Sequence, residues 1–524
     1  MKKNPNLLWI VAILLGWLFD FLFWQQSFGV NFAIFTVCCL LGGFLLLWVN
    51  GQHPARGTLW LIPLILFFGV ITFLRAEPLT VFLGALMILF LMVVLANTFL
   101  GGRWFVYSLA DYVAGFFKLM GSMLAQPVMF NSEVSRERKE SGRQAVKINV
   151  WSALRGILIA IPILAVFAAL LASADSIFSN QLSALLKPFW GFDKFPEYIF
   201  RLFYILLIAY GLAGAFLHAA LHSRDEKLIG EEKPLVSQFL GFTETAIVLG
   251  SVIVLFAAFV VIQVRYLFGG LANINITGFT YSEYARRGFG ELIAVAFLSL
   301  LMIMGFDAIT RRESQAHKRA YSGLSIAIVL LVMVMLISAY QRLNLYEVAY
   351  GFSRLRTYTY VALVWIGVLL LVVVILEFLR RERFIALAVV LTSLGFAVSL
   401  SLLNVDGFIV RHNVERAMQG QSLDVQYLVS FSSDAIPVLV DELHSASLTP
   451  SIHEKIGAIL VCHNARNPTN QGMGDWRSFT LSGWMADNAI KRVQAELNGY
   501  HVNNNNDSET LQVQTPSTTA YRCN

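Results

Sequence analysis

Apolar stretches of membrane-spanning length recur along this chain almost to residue 403, and no other feature constrains its fold as much. A bilayer core demands about 20 apolar residues per helix, because backbone groups left unpaired in hydrocarbon are costly. Eleven segments meet that demand: approximately Leu7–Trp24, Phe28–Val49, Leu59–Leu74, Leu79–Leu100, Ile157–Ile177, Leu202–Leu221, Thr243–Val264, Leu292–Ile309, Leu324–Ala339, Tyr360–Leu379 and Phe384–Leu403. With 57% of residues hydrophobic and only 14% charged, a soluble globular reading fails. The sequence therefore predicts an all-α polytopic transmembrane bundle of about eleven spans. Its first span lacks a small-residue cleavage signature and is followed at once by another apolar stretch, unlike a signal peptide.

Basic residues orient such a bundle, because Lys and Arg accumulate in cytoplasmic loops. With the N-terminus inside, that set includes Arg56, Arg103, Arg136, Lys147, Arg224, Arg311, Arg312, Lys318, Arg319, Arg380, Arg381 and Arg383, and the external loops before the tail hold fewer. Eleven spans then place the C-terminal region outside the cytoplasm. The stretch Trp104–Phe130 is apolar but carries Asp111 and Lys118, and it reads as a surface-lying or re-entrant helix. Two short spans there preserve the topology, whereas one span inverts everything downstream.

The resulting organisation has a first membrane region over residues 1–130 and a basic cytoplasmic loop over 131–155. A seven-span core over 156–403 precedes a small helical extracytoplasmic domain over 404–500 and a disordered, Asn-rich tail over 501–524. The net charge of +6 is spread among membrane loops and makes no case for nucleic acid. Cys462 and Cys523 both fall in the external region, where an oxidising compartment permits a disulfide, although Cys523 lies in a flexible-looking segment. No cofactor or metal is implied, since the Cys462–His463 doublet has no spaced partners.

Particular segments then carry a family resemblance: ADSIF from Ala174 to Phe178, ITGFTYSEYARRGFGEL from Ile276 to Leu292, RLRTYTY from Arg354 to Tyr360, and Asn404–Leu439. Over roughly residues 150–490 the chain resembles the uncharacterised bacterial membrane families called domain of unknown function 4173 and the related 4153. The resemblance implies a multi-pass protein of the bacterial cytoplasmic membrane with an extracytoplasmic C-terminal region. It assigns no catalytic residue.

Two external clusters are the best ligand-binding candidates on chemistry. In the first, Tyr281, Glu283, Tyr284, Arg286, Arg287 and Glu291 combine aromatic rings with planar guanidinium groups that bind carboxylate or phosphate bidentately. Helical spacing also lets Arg287 pair with Glu291, a purely structural use of the same charges. The second comprises Arg342, Tyr346, Glu347, Tyr350, Arg354, Arg356, Tyr358 and Tyr360, a wall of cations and rings that an ordinary aromatic belt would equally explain. Together they would form a vestibule for an anionic ligand. Asp175, in ADSIF, is a potential base or arginine partner, with helix capping as its plainer role.

There is no Walker-type loop, HExxH pair or GxSxG elbow. The leading expectation is a non-enzymatic cell-envelope protein that senses, scaffolds or binds an anionic or lipid-like ligand. Its partners would be membrane lipids, a small anionic or lipid-like ligand, and another membrane or envelope protein. A transporter or channel, and a membrane enzyme acting on a lipid-linked substrate, are the alternatives.

Overall fold

The computed structural model describes residues 4–140, 195–224, 238–267, 289–445, 448–466, 475–505 and 510–523, with Leu228 and scattered positions between 156 and 181. Eleven described helices are long and apolar enough to cross a membrane. They are α1 (Pro5–Phe23), α2 (Val30–Val49), α3 (Arg56–Leu74), α4 (Pro78–Thr98), α5 (Leu109–Glu140), α6 (Phe195–Leu221), α7 (Phe242–Leu267), α8 (Phe289–Ile309), α9 (Gln315–Tyr350), α10 (Arg354–Phe378) and α11 (Ile385–Leu403).

Ten of them coincide with segments anticipated from hydropathy, and α5 takes in most of the stretch Trp104–Phe130. The stretch expected to lie on the surface or re-enter is one continuous 32-residue helix, α5, without the reversal that a re-entrant path requires. Its contacts pass from Ser122 against His218, through Met123 beside Gly214, to Leu124 beneath Tyr210. Asp111, which argued against a span, sits in the first turn of α5, where its carboxylate accepts from Ser108 N (2.9 Å) and Ser108 Oγ (2.7 Å). Much of the anticipated span Ile157–Ile177 lies outside the described residues.

Small residues permit the closest helix approaches, as expected where lipid, unlike water, gives apolar surfaces little preference for one another. A Cβ added to Gly16 of α1 would meet the Ile205 carbonyl of α6 at 2.6 Å, and one added to Gly214 would meet Met123 Cα at 2.5 Å. One packed core joins α1, α2, α5 and α6, and another joins α2, α3, α4 and α11. A third core joins α7 to α10. Within it, Tyr321 donates to the Ile303 carbonyl at 2.7 Å and Ser338 to Gln263 Oε1 at 2.7 Å, so these two buried hydroxyls are satisfied between helices.

After α11 the chain continues as α12 (Val405–Met418), α13 (Val425–Val429), α14 (Ile436–Leu443), α15 (Pro450–Arg466) and α16 (Leu481–Val493). Only Asn404 separates α11 from α12; it is left-handed (φ 50°, ψ 71°) and caps α12 by accepting from Gly407 N at 3.3 Å. The tail core continues into the bundle, because Leu400 belongs to it and Leu79 and Leu83 of α4 pack against it.

The end of the chain differs from its expected disorder. His501–Asn505, Thr510–Gln514 and Ala520–Arg522 form an antiparallel sheet in the order β1-β2-β3. Val513 and Cys523 are fully buried in the helical core, and Cys462 of α15 is disulfide-bonded to Cys523. Composition alone conceals this anchoring, since one buried valine and one cysteine hold an otherwise polar segment.

Candidate functional site at the junction of bundle and tail

The turn between α9 and α10 is where the described part of the predicted site comes together. Gly351 closes α9 in the left-handed region (φ +76°), and Ser353 caps α10. This places Arg354 at the first position of α10, facing α12. Its Nε donates to Asp406 Oδ1 at 2.7 Å and its Nη2 to Asp406 Oδ2 at 2.6 Å, the two-pronged geometry that suits guanidinium and carboxylate. Asp406 is fully buried and accepts further bonds from Ser432 N (2.8 Å) and Ser432 Oγ (2.7 Å).

Neighbouring groups extend this clasp across the membrane end of the bundle. Arg354 N donates to the Tyr427 hydroxyl at 2.7 Å, and the Arg354 guanidinium lies 4.9 Å over the Phe431 ring. Burial pushes the Tyr427 hydroxyl above its ordinary pKa, with the Arg354 backbone and charge opposing that rise. Tyr358 donates to Glu77, whose carboxylate caps α4 through Leu79 N (3.0 Å) and Thr80 N (2.7 Å). Asp434 of the tail in turn accepts from Ala76 N and Glu77 N, each at 2.8 Å. Two membrane helices, α4 and α10, are thus tied to the tail by buried or half-buried polar contacts.

Arg356 is engaged separately. Its guanidinium lies 4.0 Å over Tyr346 and 5.8 Å from the Tyr350 ring, and it donates to the Gly351 carbonyl. Arg342 is buried inside α9. Arg354 and Arg356 both have partners within the protein, and Arg356 with Tyr346 and Tyr350 forms a cluster of cation and rings. Arg416 of the tail adds a further tie, donating to the Val348 and Ala349 carbonyls at 3.0 and 2.7 Å.

The remaining candidates stand apart. Asp175 is exposed and accepts from Ile177 N at 2.7 Å, the capping role. Glu291 is exposed in the first turn of α8. Tyr281, Glu283, Tyr284, Arg286 and Arg287 lie outside the described residues.

A second polar tie, among residues near the ends of α1 and α6, lies on the same face. Arg201 donates from Nε to Asp20 Oδ1 at 2.9 Å and from Nη2 to Oδ2 at 2.5 Å, while Tyr204 donates to the same carboxylate. Arg477 of the tail reaches the Phe21 carbonyl at 2.5 Å, and Val30 N donates to the Phe479 carbonyl at 2.9 Å. Nothing local in the sequence announces this pair, since the arginine is 181 residues from Asp20.

At the opposite end, a cavity of about 410 Å³ lies between α4, α5 and α6. His218 is within 2.7 Å of Ser122 Oγ and 3.1 Å of Asn97 Oδ1, and its ring stacks on His222. Lys118 and Gln126 also line it. This chamber has only one sequence signal, polar residues dispersed through three apolar segments. Among the described residues, no cluster of three His, Cys, Asp or Glu side chains could hold a metal.

No curated protein and no solved structure matches this chain in the comparisons made. A family model described as "Domain of unknown function (DUF4153)" matches residues 62–442, from α3 into α14, so the matched region includes both Arg354 and Asp406. Because that match covers well over half of the chain, the protein belongs to this family of unknown function.

Proposed function

We propose that the protein is a non-enzymatic cell-envelope membrane protein that senses or scaffolds, with the tail responding to the packing of the membrane helices. The observation carrying this reading is the buried Arg354–Asp406 clasp, which joins the first residue of α10 to the second residue of α12. A rearrangement of α10 is then felt directly by the tail, the two-state coupling that a receptor needs. The disulfide and the distribution of basic residues support an extracytoplasmic tail, a cytoplasmic N-terminus and residence in the bacterial cytoplasmic membrane. The resemblance to family 4173 is part of the same proposal.

Hydrogen exchange of the full-length protein in nanodiscs tests it, with and without an added extract of anionic envelope lipids. Protection along Val405–Met418 should change together with protection at the start of α10, and Arg354→Gln should abolish the linkage. Unchanged exchange at both places, combined with a lone monomer on crosslinking in native membranes, would remove the reading.

The polar chamber favours transport as a second reading, because polar groups placed within apolar helices mark solute paths. Flux of small solutes from reconstituted vesicles should fall in Asn97→Ala and His218→Ala variants if this reading holds. Background flux identical in all three proteins would leave the chamber as packing only.

A further inference from the structure

The geometry points to a phosphate-binding pocket at the end of the bundle opposite the tail, formed by Gln238, Arg312, Gln315, Lys318, Ser322 and Arg380. The cavity occupies about 480 Å³ where the approach to α7, the start of α9 and the end of α10 meet. Among the described residues that line it none is acidic, and three are cations. Basic residues that serve only to orient a membrane protein need no enclosed volume, whereas these surround one.

Each wall has a definable role. Arg312 is held rigidly: Nη2 donates to the Asp307 carbonyl at 2.9 Å and to Asp307 Oδ1 at 2.5 Å, and its guanidinium lies 4.6 Å over the buried Tyr321 ring. Asp307 offsets much of that charge. Lys318 and Arg380, in contrast, have no ion-pair partner among the described residues. Gln315, Lys318 and Ser322 fall at helical positions i, i+3 and i+7, so one face of α9 presents an amide, an ammonium and a hydroxyl to the same space. The first turn of that helix adds the partial positive charge of its unpaired backbone amides.

Arg380 supplies an independent observation. It follows α10 in the left-handed region (φ 55°), where glycine would be favoured and a side chain is strained. A long cationic side chain kept at such a position, beside a cavity already lined by two cations, fits a charge requirement better than a turn requirement. The shared ligand chemistry is a phosphate mono- or diester, which takes charge-assisted bonds from Lys and Arg and neutral ones from Gln and Ser. Its source is either a phospholipid headgroup or a soluble phosphate ester. This inference does not rest on the clasp between bundle and tail.

Native mass spectrometry of the full-length protein, titrated with phosphatidylglycerol or phosphatidylcholine, tests the assignment. Phosphatidylglycerol retention should drop about fivefold for each of Lys318→Ala and Arg380→Ala, the effect of losing one cation near an anionic headgroup. Lys318→Arg should retain it. Arg319→Ala makes the same charge change one residue away and should leave retention intact. Displacement by inorganic phosphate or glycerol phosphate identifies a soluble ester, and resistance to both identifies a lipid headgroup. Equal loss in Arg319→Ala overturns the pocket in favour of diffuse surface charge, and phosphatidylcholine retained as well as phosphatidylglycerol overturns it in favour of nonselective lipid binding. Because Lys318 and Arg380 make no ion pair in the described fold, unchanged thermal midpoints should accompany the loss.

Discussion

Arg354 and Asp406, 52 residues apart in sequence, share two hydrogen bonds of 2.7 and 2.6 Å across the boundary between membrane helix and tail. The aspartate side chain is wholly buried and the arginine side chain is 22% exposed, so the pair is shielded from water on one side. Removing the arginine strands a buried carboxylate. Arg354→Ala should therefore cost about 3–5 kcal/mol of stability, read as a lower thermal midpoint and faster proteolysis of the tail. Arg354→Ala/Asp406→Ala should cost less than the sum of the two single changes. Additive losses in that double-mutant cycle would mean that the pair is not energetically coupled.

Close packing of α5 on α6 predicts a contrast between two glycines. Gly214→Val should destabilise the bundle by about 1–3 kcal/mol, because the added carbons must displace the Met123 backbone. Gly250→Ala in α7, where nothing lies within 4 Å, should be neutral or stabilising by up to about 1 kcal/mol. Thermal unfolding in one detergent measures both. A silent Gly214→Val would show that α5 is free to move away from α6.

The disulfide closes a loop between residues 61 apart in sequence. Its loss in Cys523→Ser should cost the tail about 2–5 kcal/mol by releasing the unfolded chain. Tail unfolding followed by hydrogen exchange, with Cys38 and Cys39 left in place, reads this effect. An unchanged profile under both oxidising and reducing conditions would show that β3 is held by packing alone.

His463 in α15 is buried, and desolvation, aided by the Arg466 charge, lowers its pKa from 6.5 to about 4. The folded state therefore resists protonation that the unfolded chain accepts. The resulting contribution is fully present above pH 6.5 and is lost as pH falls toward 4, amounting to about 3 kcal/mol at most. Wild-type tail stability should slope downward through that interval, and His463→Gln should flatten the slope. A parallel pair of profiles would assign the acid sensitivity to other groups.

Orientation yields to cysteine labelling in a background lacking Cys38 and Cys39. Ser451→Cys, on the exposed start of α15, should react with an impermeant maleimide from outside the cell. Ala320→Cys, near the start of α9, should react only after permeabilisation. The opposite pattern would invert the bundle and put the phosphate pocket outside.

Much of the bundle is legible because hydropathy and length report burial in lipid directly, residue by residue. Leu79–Leu100 and Phe384–Leu403 need no partner to be recognised as spans. The clasp is different: Asp406 resembles any polar residue following a span, and nothing local reveals that Arg354 folds onto it. Asp111 and Lys118 set α5 apart from the other apolar stretches, yet composition does not show that Asp111 stands in the first helical turn and is satisfied by Ser108. Asn503 and Asn504 similarly concealed β1, whose pairing with Gln512 and Leu511 depends on β2 being anchored elsewhere. Chemistry that depends on long-range partners is invisible until those partners are placed.

Asn404 leaves no slack between α11 and α12. With a single left-handed residue as the connection, and its side-chain amide also reaching the Asp434 carbonyl at 3.4 Å, the last membrane helix and the tail share one lever arm. A pull on the tail is delivered as torque on α11 instead of being absorbed by a floppy tether. Inserting glycines after Asn404 would thus uncouple the two mechanically while leaving every helix intact.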